Sequence, residues 1–453
     1  MTKGDGFPSL PLLAGLVAAA ACTPAFGAGF ALIEQSASGQ GNAFAGAAAV
    51  AGDASTIFFN PAGLTRLEDP QVLLAFHGIF SDAKFRNNGS TGNPVFDGTA
   101  LGGPNDDGGG EAFVPNLYVS IPLSDTLVAG FGISAPFGLE TRYSPDWVGR
   151  YHAIRSDLAT VNLNPTLAWQ ATDRLSVGIG IDAQYIRATL SNAIDFGLVC
   201  VSTPTLTAAC NSVGITAAQQ SDGIAELTGD DWSWGYNLGL LFDVTDDLRV
   251  GLAYRSKIKH NLRGGIDYQA PANPFHAAVF NAVPNFQDRA ASAGVTLPET
   301  VSLSAAWEAS EDLEVLADVT WTRWSRFRQL VAVDDSGTTL SSTDENWENV
   351  YRYSLGLNYH YNDAWTLRAG VAYDEEPIPD AAHRTPRIPG NDRKWLSVGF
   401  GYAVNPDTRI DVGYSHLFIS DPSIQHVDSQ GHTLSGTYDN SVDILSAQFS
   451  LSF

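Results

Sequence analysis

Arg255, Lys257 and Lys259 stand at every second position of one segment, and Arg326 and Arg328 are spaced alike in another. Alternate residues of an extended strand share a face, so each set presents its cations together. Leu248, Val250, Leu252 and Tyr254 take the opposite parity in the first segment. Leu313, Val315, Val319 and Trp321 do so in the second. Parity therefore predicts that Arg255, Lys257, Lys259, Arg326 and Arg328 point to the wet side of their strands, with Arg352 of a third segment beside them. Such cations either receive an anionic group of a ligand or pair with the chain's own acids, because buried charges need partners in both cases.

Other chemistry finds less material. Histidines such as His77, His152, His260, His360, His383, His416 and His432 are scattered, and no G-x-S-x-G elbow occurs. No His/Cys spacing suits a metal ion. Catalytic residues, metal ligands and cofactors are therefore not expected. Cys200 and Cys210 flank the polar stretch VSTPTLTAA. In an oxidising compartment two cysteines this close are expected to pair, and so small a ring stabilises by at most about 3 kcal/mol.

The elements that must carry these residues read as strands. In YRYSLGLNYHY, Tyr351, Tyr353, Leu355, Leu357, Tyr359 and Tyr361 fall on one face. Arg352, Ser354, Gly356, Asn358 and His360 fall on the other. The same alternation recurs in LSVGIGIDAQY, LEVLADVTW, WTLRAGVAY and LSAQFSLSF. Fourteen such segments are legible, near 71–80, 113–121, 126–135, 157–170, 174–190, 232–244, 247–262, 298–309, 312–327, 347–361, 364–374, 393–404, 407–419 and 439–453. Their connections alternate. Six are short, at Asp125, Asp173, Asp246, Glu311, Asp363 and Pro406-Asp407, and seven are long.

Helical runs are too scarce to cover that many greasy faces. The chain has 453 residues with 44 Gly, 10 Trp, 15 Tyr and 23 Phe, but only 16% charged residues. The greasy faces must therefore meet lipid, and a sheet in lipid must close on itself. The expected fold is all-β: a 14-stranded antiparallel transmembrane β-barrel over residues 71–453 with seven long outer loops. A soluble sandwich would not need such regular long and short connections. A formal net charge of −24 argues against a nucleic-acid partner.

The first residues read as an address. Lys3 precedes an apolar run from Leu10 to Ala21, and Ala25-Phe26-Gly27 resembles a signal-peptidase site, which places a signal peptide at 1–27. Cys22 lacks the Leu three positions earlier that a lipoprotein acceptor requires. Residues 28–70 show no strand alternation and are rich in Ala, Gly and Ser. A compact plug inside the barrel, or a disordered linker, would account for them.

Here the residues resemble a known family. SASGQGNAFAGAAAVAGDASTIFFNPAGL, with its Asn60-Pro61-Ala62 triplet, is similar to the amino-terminal hatch of the FadL family of outer-membrane transporters. The likeness continues through PFGLETRYSPDWVGRY, WSWGYNLGLLFDVTDDLRVGLAYRS and RAGVAYDEEPIPDAAHRTPRIPGNDRKWLSVGFGYAVN. The resemblance implies an N-terminal hatch over residues 28–70 and passive uptake of long-chain fatty acids, or of aromatic or aliphatic hydrocarbons. Ligands would dock among outer loops, enter a pocket above the hatch, and leave sideways through a gap at a kinked third strand. Pro136 cannot donate to a ladder and Gly138 tolerates unusual backbone angles, so the pair either opens that gap or merely ends the strand. Phe275, Val279, Phe280 and Phe286 form a candidate docking loop, or a short helix packed on a neighbouring loop.

In fatty-acid-transporting relatives basic residues receive the ligand's carboxylate. Flank matching puts Asn192 and Thr343 at those positions, both uncharged. Arg255, Lys257, Lys259, Arg326, Arg328 and Arg352 are then the candidate carboxylate contacts. The resemblance further implies the outer membrane of a Gram-negative bacterium, both termini periplasmic, a monomer, and outer-membrane lipid and lipopolysaccharide as surroundings. An outer-membrane lipid hydrolase is the alternative of another class.

Overall fold

The computed structural model describes residues 29–453. The signal peptide, its cleavage site and Cys22 lie outside the described residues.

Fourteen wall strands run up and down in chain order: β1 (Gln71–Asn87), β2 (Gly110–Ser124), β3 (Leu127–Ser134 and Gly138–Arg142), β4 (Arg155–Thr172), β5 (Leu175–Asp195), β6 (Asp222–Asp243), β7 (Leu248–Arg255 and Ile258–Gln269), β8 (Arg289–Leu297 and Thr300–Ser310), β9 (Leu313–Thr322 and Gln329–Asp334), β10 (Thr339–Asp344 and Val350–His360), β11 (Trp365–Asp374), β12 (Arg393–Asn405), β13 (Thr408–Ile419 and Ser423–Val427) and β14 (Thr433–Ser452). Each is antiparallel to the next, and β1 pairs with β14 from Gln71↔Ser452 to Asn87↔Gly436, which closes the ring. Closure leaves no edge with unpaired backbone groups in hydrocarbon. No described helix is long and apolar enough to cross a membrane; the crossing is made by strands.

The alternation read from the sequence is the alternation of the wall. On β10, Leu355 is 62% exposed on the outer face, while neighbouring Ser354 is 3% exposed on the inner one. Outward aromatics gather at two levels. Trp169, Trp307, Tyr359, Tyr361 and Trp365 lie near the short turns. Trp232, Trp234, Tyr236, Tyr351 and Tyr353 lie towards the long loops. Such belts mark the two interfaces of a bilayer. The strands reach further towards the long loops than the alternation predicted, as with β6, which begins at Asp222 and not near 232. Above the membrane the outward face meets water and neighbouring loops, so the greasy parity disappears while the ladder continues.

Six strands are broken, at Ala135–Phe137, Ser256–Lys257, Pro298–Glu299, 323–328, 345–349 and 420–422. The break in β7 is a bulge. β6 pairs with its first half as Asn237↔Arg255 and with its second half as Asp230↔Arg263, so one extra residue sits on β7 between the two registers. A one-residue slip turns every later side chain to the opposite face.

Residues 29–70 bond to inward-facing groups around the ring. Ala37 N donates to Gln448 Oε1 of β14 (3.0 Å), Asn42 Nδ2 to Asn358 Oδ1 of β10 (3.1 Å), and Ala48 N to Ser304 Oγ of β8 (3.0 Å). Asn60 Nδ2 donates to the carbonyls of Ala48 (2.6 Å) and of Leu240 on β6 (2.9 Å), and its Oδ1 accepts from Ala62 N (3.1 Å). Pro61 opens a short helical turn, Pro61–Arg66. The wall makes room with glycine. A Cβ on Gly178 would lie 2.4 Å from Ala62 N, and one on Gly239 would lie 1.9 Å from Asn60 Oδ1.

Candidate ligand-binding site

Pro136 interrupts β3, and the ladder shows the consequence. β2 pairs with β3 from Ser124↔Leu127 to Leu117↔Ile133 and then stops. Beyond that point Gly110–Asn116 pairs only with β1, and Gly138–Arg142 only with β4. The broken backbone is satisfied from inside. Leu32 N donates to Pro136 O (2.8 Å) and Gly138 N to Phe30 O (3.0 Å). Phe137 N donates to Thr160 Oγ1 (3.0 Å), and Thr160 Oγ1 returns a bond to Phe137 O (2.6 Å). Gln35 bridges the parted strands: its Nε2 donates to Ala135 O (3.1 Å), and its Oε1 accepts from Tyr118 OH of β2 (3.3 Å). Buried peptide groups in a membrane wall must find such partners.

Three cavities follow one another inside the ring. An outer vestibule of about 660 Å³ is lined by Tyr151, His152, Asn192, Phe286, Thr343, His383, Arg387 and His426. Leu190, Leu227, Leu330 and Arg387 are shared with an apolar chamber beneath it, formed by Phe30, Leu139, Leu158, Leu262, Val295, Phe327 and Ile388. A second chamber reaches Leu32, Phe44, Phe59, Pro136, Phe137, Trp324, Arg352 and Trp395. Phe44, Ala47 and Phe59 also line a separate basal cavity of about 680 Å³, so the amino-terminal segment stands between the two spaces.

Arg387 is the group that sequence reading missed. It comes from the loop between β11 and β12, between Pro386 and Ile388, and sits where vestibule and apolar chamber meet. Its Nη1 donates to Arg155 O (3.1 Å) and Ser156 Oγ (3.1 Å), and its Nη2 to Asn192 Oδ1 (3.4 Å). All are neutral acceptors, and among the described residues no carboxylate lies within ion-pair distance. Burial pushes its pKa down to about 10, against the pull of the Glu345 carboxylate, so it stays charged near neutral pH. Asn192 and Thr343 line the same vestibule. The cation absent from those two positions is supplied by a third. The only sequence signal was the flanking pair of prolines in TPRIPG.

The six cations read from parity divide. Arg255 and Arg352 line the inner chamber. Arg255 Nη1 meets Asp182 Oδ1 at 2.6 Å and its Nη2 donates to Phe58 O at 2.9 Å. Arg352 Nη2 donates to Ala43 O at 2.7 Å, and its guanidinium lies 5.1 Å from the Trp395 ring. Lys257, Lys259, Arg326 and Arg328 do not face inward; they line a depression on the outer face with Thr296, Arg323 and Ser325. The β7 bulge causes the first pair's reversal, since buried Ile258 and His260 alternate with exposed Lys259. Arg326 and Arg328 lie in the break of β9, where the strand parity no longer applies.

The candidate docking loop is a short helix, Pro274–Asn281, packed on the neighbouring loop. Phe280 is fully buried, stacked on Phe286 at 4.6 Å and against Phe196 at 5.1 Å. Cys200 and Cys210, joined as a disulfide, share that cluster, with Val279 at its edge. Phe275 alone of the four is strongly exposed, and Phe286 opens onto the vestibule.

Known proteins align with this architecture over nearly the whole chain. The model of the outer membrane protein transport protein family (OMPP1/FadL/TodX) matches residues 17–453. The long-chain fatty acid transport protein of Escherichia coli O6:H1 is 33% identical over 410 residues, covering 87% of this chain and 88% of that protein. A crystal structure of a Pseudomonas aeruginosa FadL homologue superposes with a TM-score of 0.83 at 27% identity, covering 94% of this chain and all of the other. The Ralstonia pickettii toluene transporter TbuX shares the fold, with a TM-score of 0.65 at 20% identity over 94% of this chain and 99% of that one. The chain therefore belongs to the outer membrane protein transport protein family (OMPP1/FadL/TodX).

Proposed function

We propose that this chain carries hydrophobic molecules passively across the outer membrane, long-chain fatty acids above all, and releases them sideways into the bilayer. The carrying observation is Arg387: a half-buried cation with neutral partners only, at the mouth of an apolar chamber. A carboxylate there gains charge-assisted hydrogen bonds while its chain stays out of water. The name of the Escherichia coli relative supports the same ligand class. Residues 28–70 act as the hatch, held by Asn60, Pro61 and Ala62, which accounts for the separation of inner and basal cavities. The ladder break at Pro136 and Gly138 serves as the exit. Phe286 and the exposed Phe275 serve the outer docking step. The carboxyl terminus and the start of β1 then face the periplasm, where Phe453 N bonds to Pro70 O at the short-turn rim, whereas Phe30 lies inside the ring. The barrel works as a monomer among outer-membrane lipid and lipopolysaccharide, and has no enzymatic step.

A second reading is uptake of uncharged hydrocarbons by the same route, favoured by the uncharged Asn192 and Thr343 in the vestibule wall. Titrating oleate, the matching fatty alcohol and toluene into purified protein, beside uptake assays in cells, separates the two. Saturable oleate binding with uptake supports the first reading. Toluene binding without oleate binding supports the second.

A further inference from the structure

The four displaced cations point to a second ligand. Lys257, Lys259, Arg323, Arg326 and Arg328 line one depression of about 350 Å³ on the outer wall of β7–β9. That is five of the 25 basic side chains of a chain whose net charge is −24. Glu299 is the one carboxylate in ion-pair contact with any of them, among the described residues. It meets Arg326 Nη2 at 2.7 Å and Arg323 Nη1 at 3.1 Å. Five cations against one carboxylate leave four positive charges. Lys257, Lys259 and Arg328 have no recorded ion pair among the described residues.

The depth of the depression selects its partner. Arg323 follows outward Trp321 by two residues, on a strand running towards the long loops, and Trp321 pairs with Tyr351 of the aromatic belt. Lys257 stands three residues beyond Tyr254, and Ser256 next to it bonds to Tyr236 (N to O, 2.9 Å). At about 3.3 Å per residue, the cations begin within roughly 10 Å above the belt, where headgroups of the outer leaflet lie. We propose that this depression binds the phosphate groups of the outer leaflet's phosphorylated glycolipid. Arginine forks match phosphate oxygens in pairs, and the two lysines add point charge. A multiply anionic headgroup fits four excess charges better than a single carboxylate does. The proposal rests on the reading of this chain as an outer-membrane barrel and adds a partner site on its wall.

The test uses the full mature chain in mild detergent, titrated with diphosphoryl lipid A, chemically dephosphorylated lipid A and inorganic phosphate. Retained lipid is read by native mass spectrometry. The variant Lys257→Gln/Lys259→Gln/Arg328→Gln leaves the Glu299 pairs in place, and heat-modifiable migration on gels checks its fold. The expected result is retention of diphosphoryl lipid A by the native chain and at least tenfold weaker retention by the triple variant. Lys257→Arg/Lys259→Arg is expected to retain it. Equal retention by the triple variant, or equal retention of dephosphorylated lipid A, would overturn the site, as would displacement by millimolar inorganic phosphate. Oleate binding is measured in parallel. Its absence from native and variant protein alike would count against the transport reading while leaving the lipid result to stand by itself.

Discussion

The backbone N–H of Leu32 donates to the carbonyl of Pro136 at 2.8 Å, so the amino-terminal segment completes the broken third strand from inside. A change at the ladder break therefore bears directly on that segment. A Cβ on Gly138 would lie 2.9 Å from Leu32 Cδ1, so a large side chain there pushes on the segment instead of merely filling the break. Gly138→Leu is expected to speed hydrogen exchange over residues 29–33 in a barrel that remains heat-modifiable. The proposed exit is tested by Glu111→Cys with Glu140→Cys, bridged by a short bifunctional thiol reagent; Cys200 and Cys210 are already paired. Bridged protein should bind oleate normally and fail to deliver it. Normal uptake with the bridge shown to be complete would sink the lateral route.

Arg387→Met keeps an unbranched stem and removes the charged guanidinium. Loss of charge-assisted hydrogen bonds to a carboxylate should weaken oleate binding by about 1.5–3 kcal/mol, roughly ten- to a hundredfold. Binding of the matching fatty alcohol should hardly change. Equal losses for acid and alcohol would show that Arg387 shapes the chamber without recognising the carboxylate.

Asn60→Ala removes the bonds to Ala48 O and Leu240 O and leaves the buried Ala48 carbonyl short of a partner, at about 1–3 kcal/mol. The segment should loosen while the wall stays intact. Planar-bilayer recordings should show raised or flickering conductance to small ions, as should deletion of residues 28–65. A conductance unchanged in both proteins contradicts the plug.

The outer loops should respond to pH through two histidines. His432 Nδ1 lies 2.8 Å from Asp428 Oδ2, and its Nε2 lies 3.2 Å from Asp195 Oδ2. Burial alone would lower its pKa, but the hydrogen bonds to Asp195 and Asp428 outweigh it and raise the pKa to about 9. A folded pKa above the unfolded value of about 6.5 gives stability present below about pH 6.5 and lost as pH rises to about 9. His152 is the opposite case: burial holds it down at about 3, so its contribution is present above about pH 6.5 and fades as pH falls. Hydrogen exchange over residues 143–154 and 420–438, corrected for intrinsic rates, should be slowest near neutral pH. His432→Gln should abolish the alkaline loss of protection, and a persistent loss would assign it to another group.

Leu357 points to lipid at mid-strand, whereas His360 points to the wide basal cavity. Leu357→Arg should destabilise the barrel by about 2–4 kcal/mol, and His360→Arg by much less. Neighbouring Asn358 is no neutral control, because it bonds to Asn42 and Glu314. Equal effects in unfolding titrations would refute the facing.

By itself the sequence determined the barrel. Side chains on a strand alternate with period two, lipid accepts only one parity, and the turns at Asp125, Asp173, Asp246, Glu311, Asp363 and Pro406-Asp407 mark one rim. Those rules are local, so fourteen strands and their order could be read without coordinates. Composition and spacing likewise carried the Cys200–Cys210 pair. What faces where beyond a break was decided by tertiary structure. One extra residue on β7, with nothing in Ser256-Lys257 to announce it, turned Lys257 and Lys259 from lumen to bilayer, because parity is a running count that a single bulge inverts. The cation at the chamber mouth was also a tertiary matter. Arg387 reaches Asn192 on β5 from a loop almost two hundred positions away, and only the closed ring brings that loop and strand together.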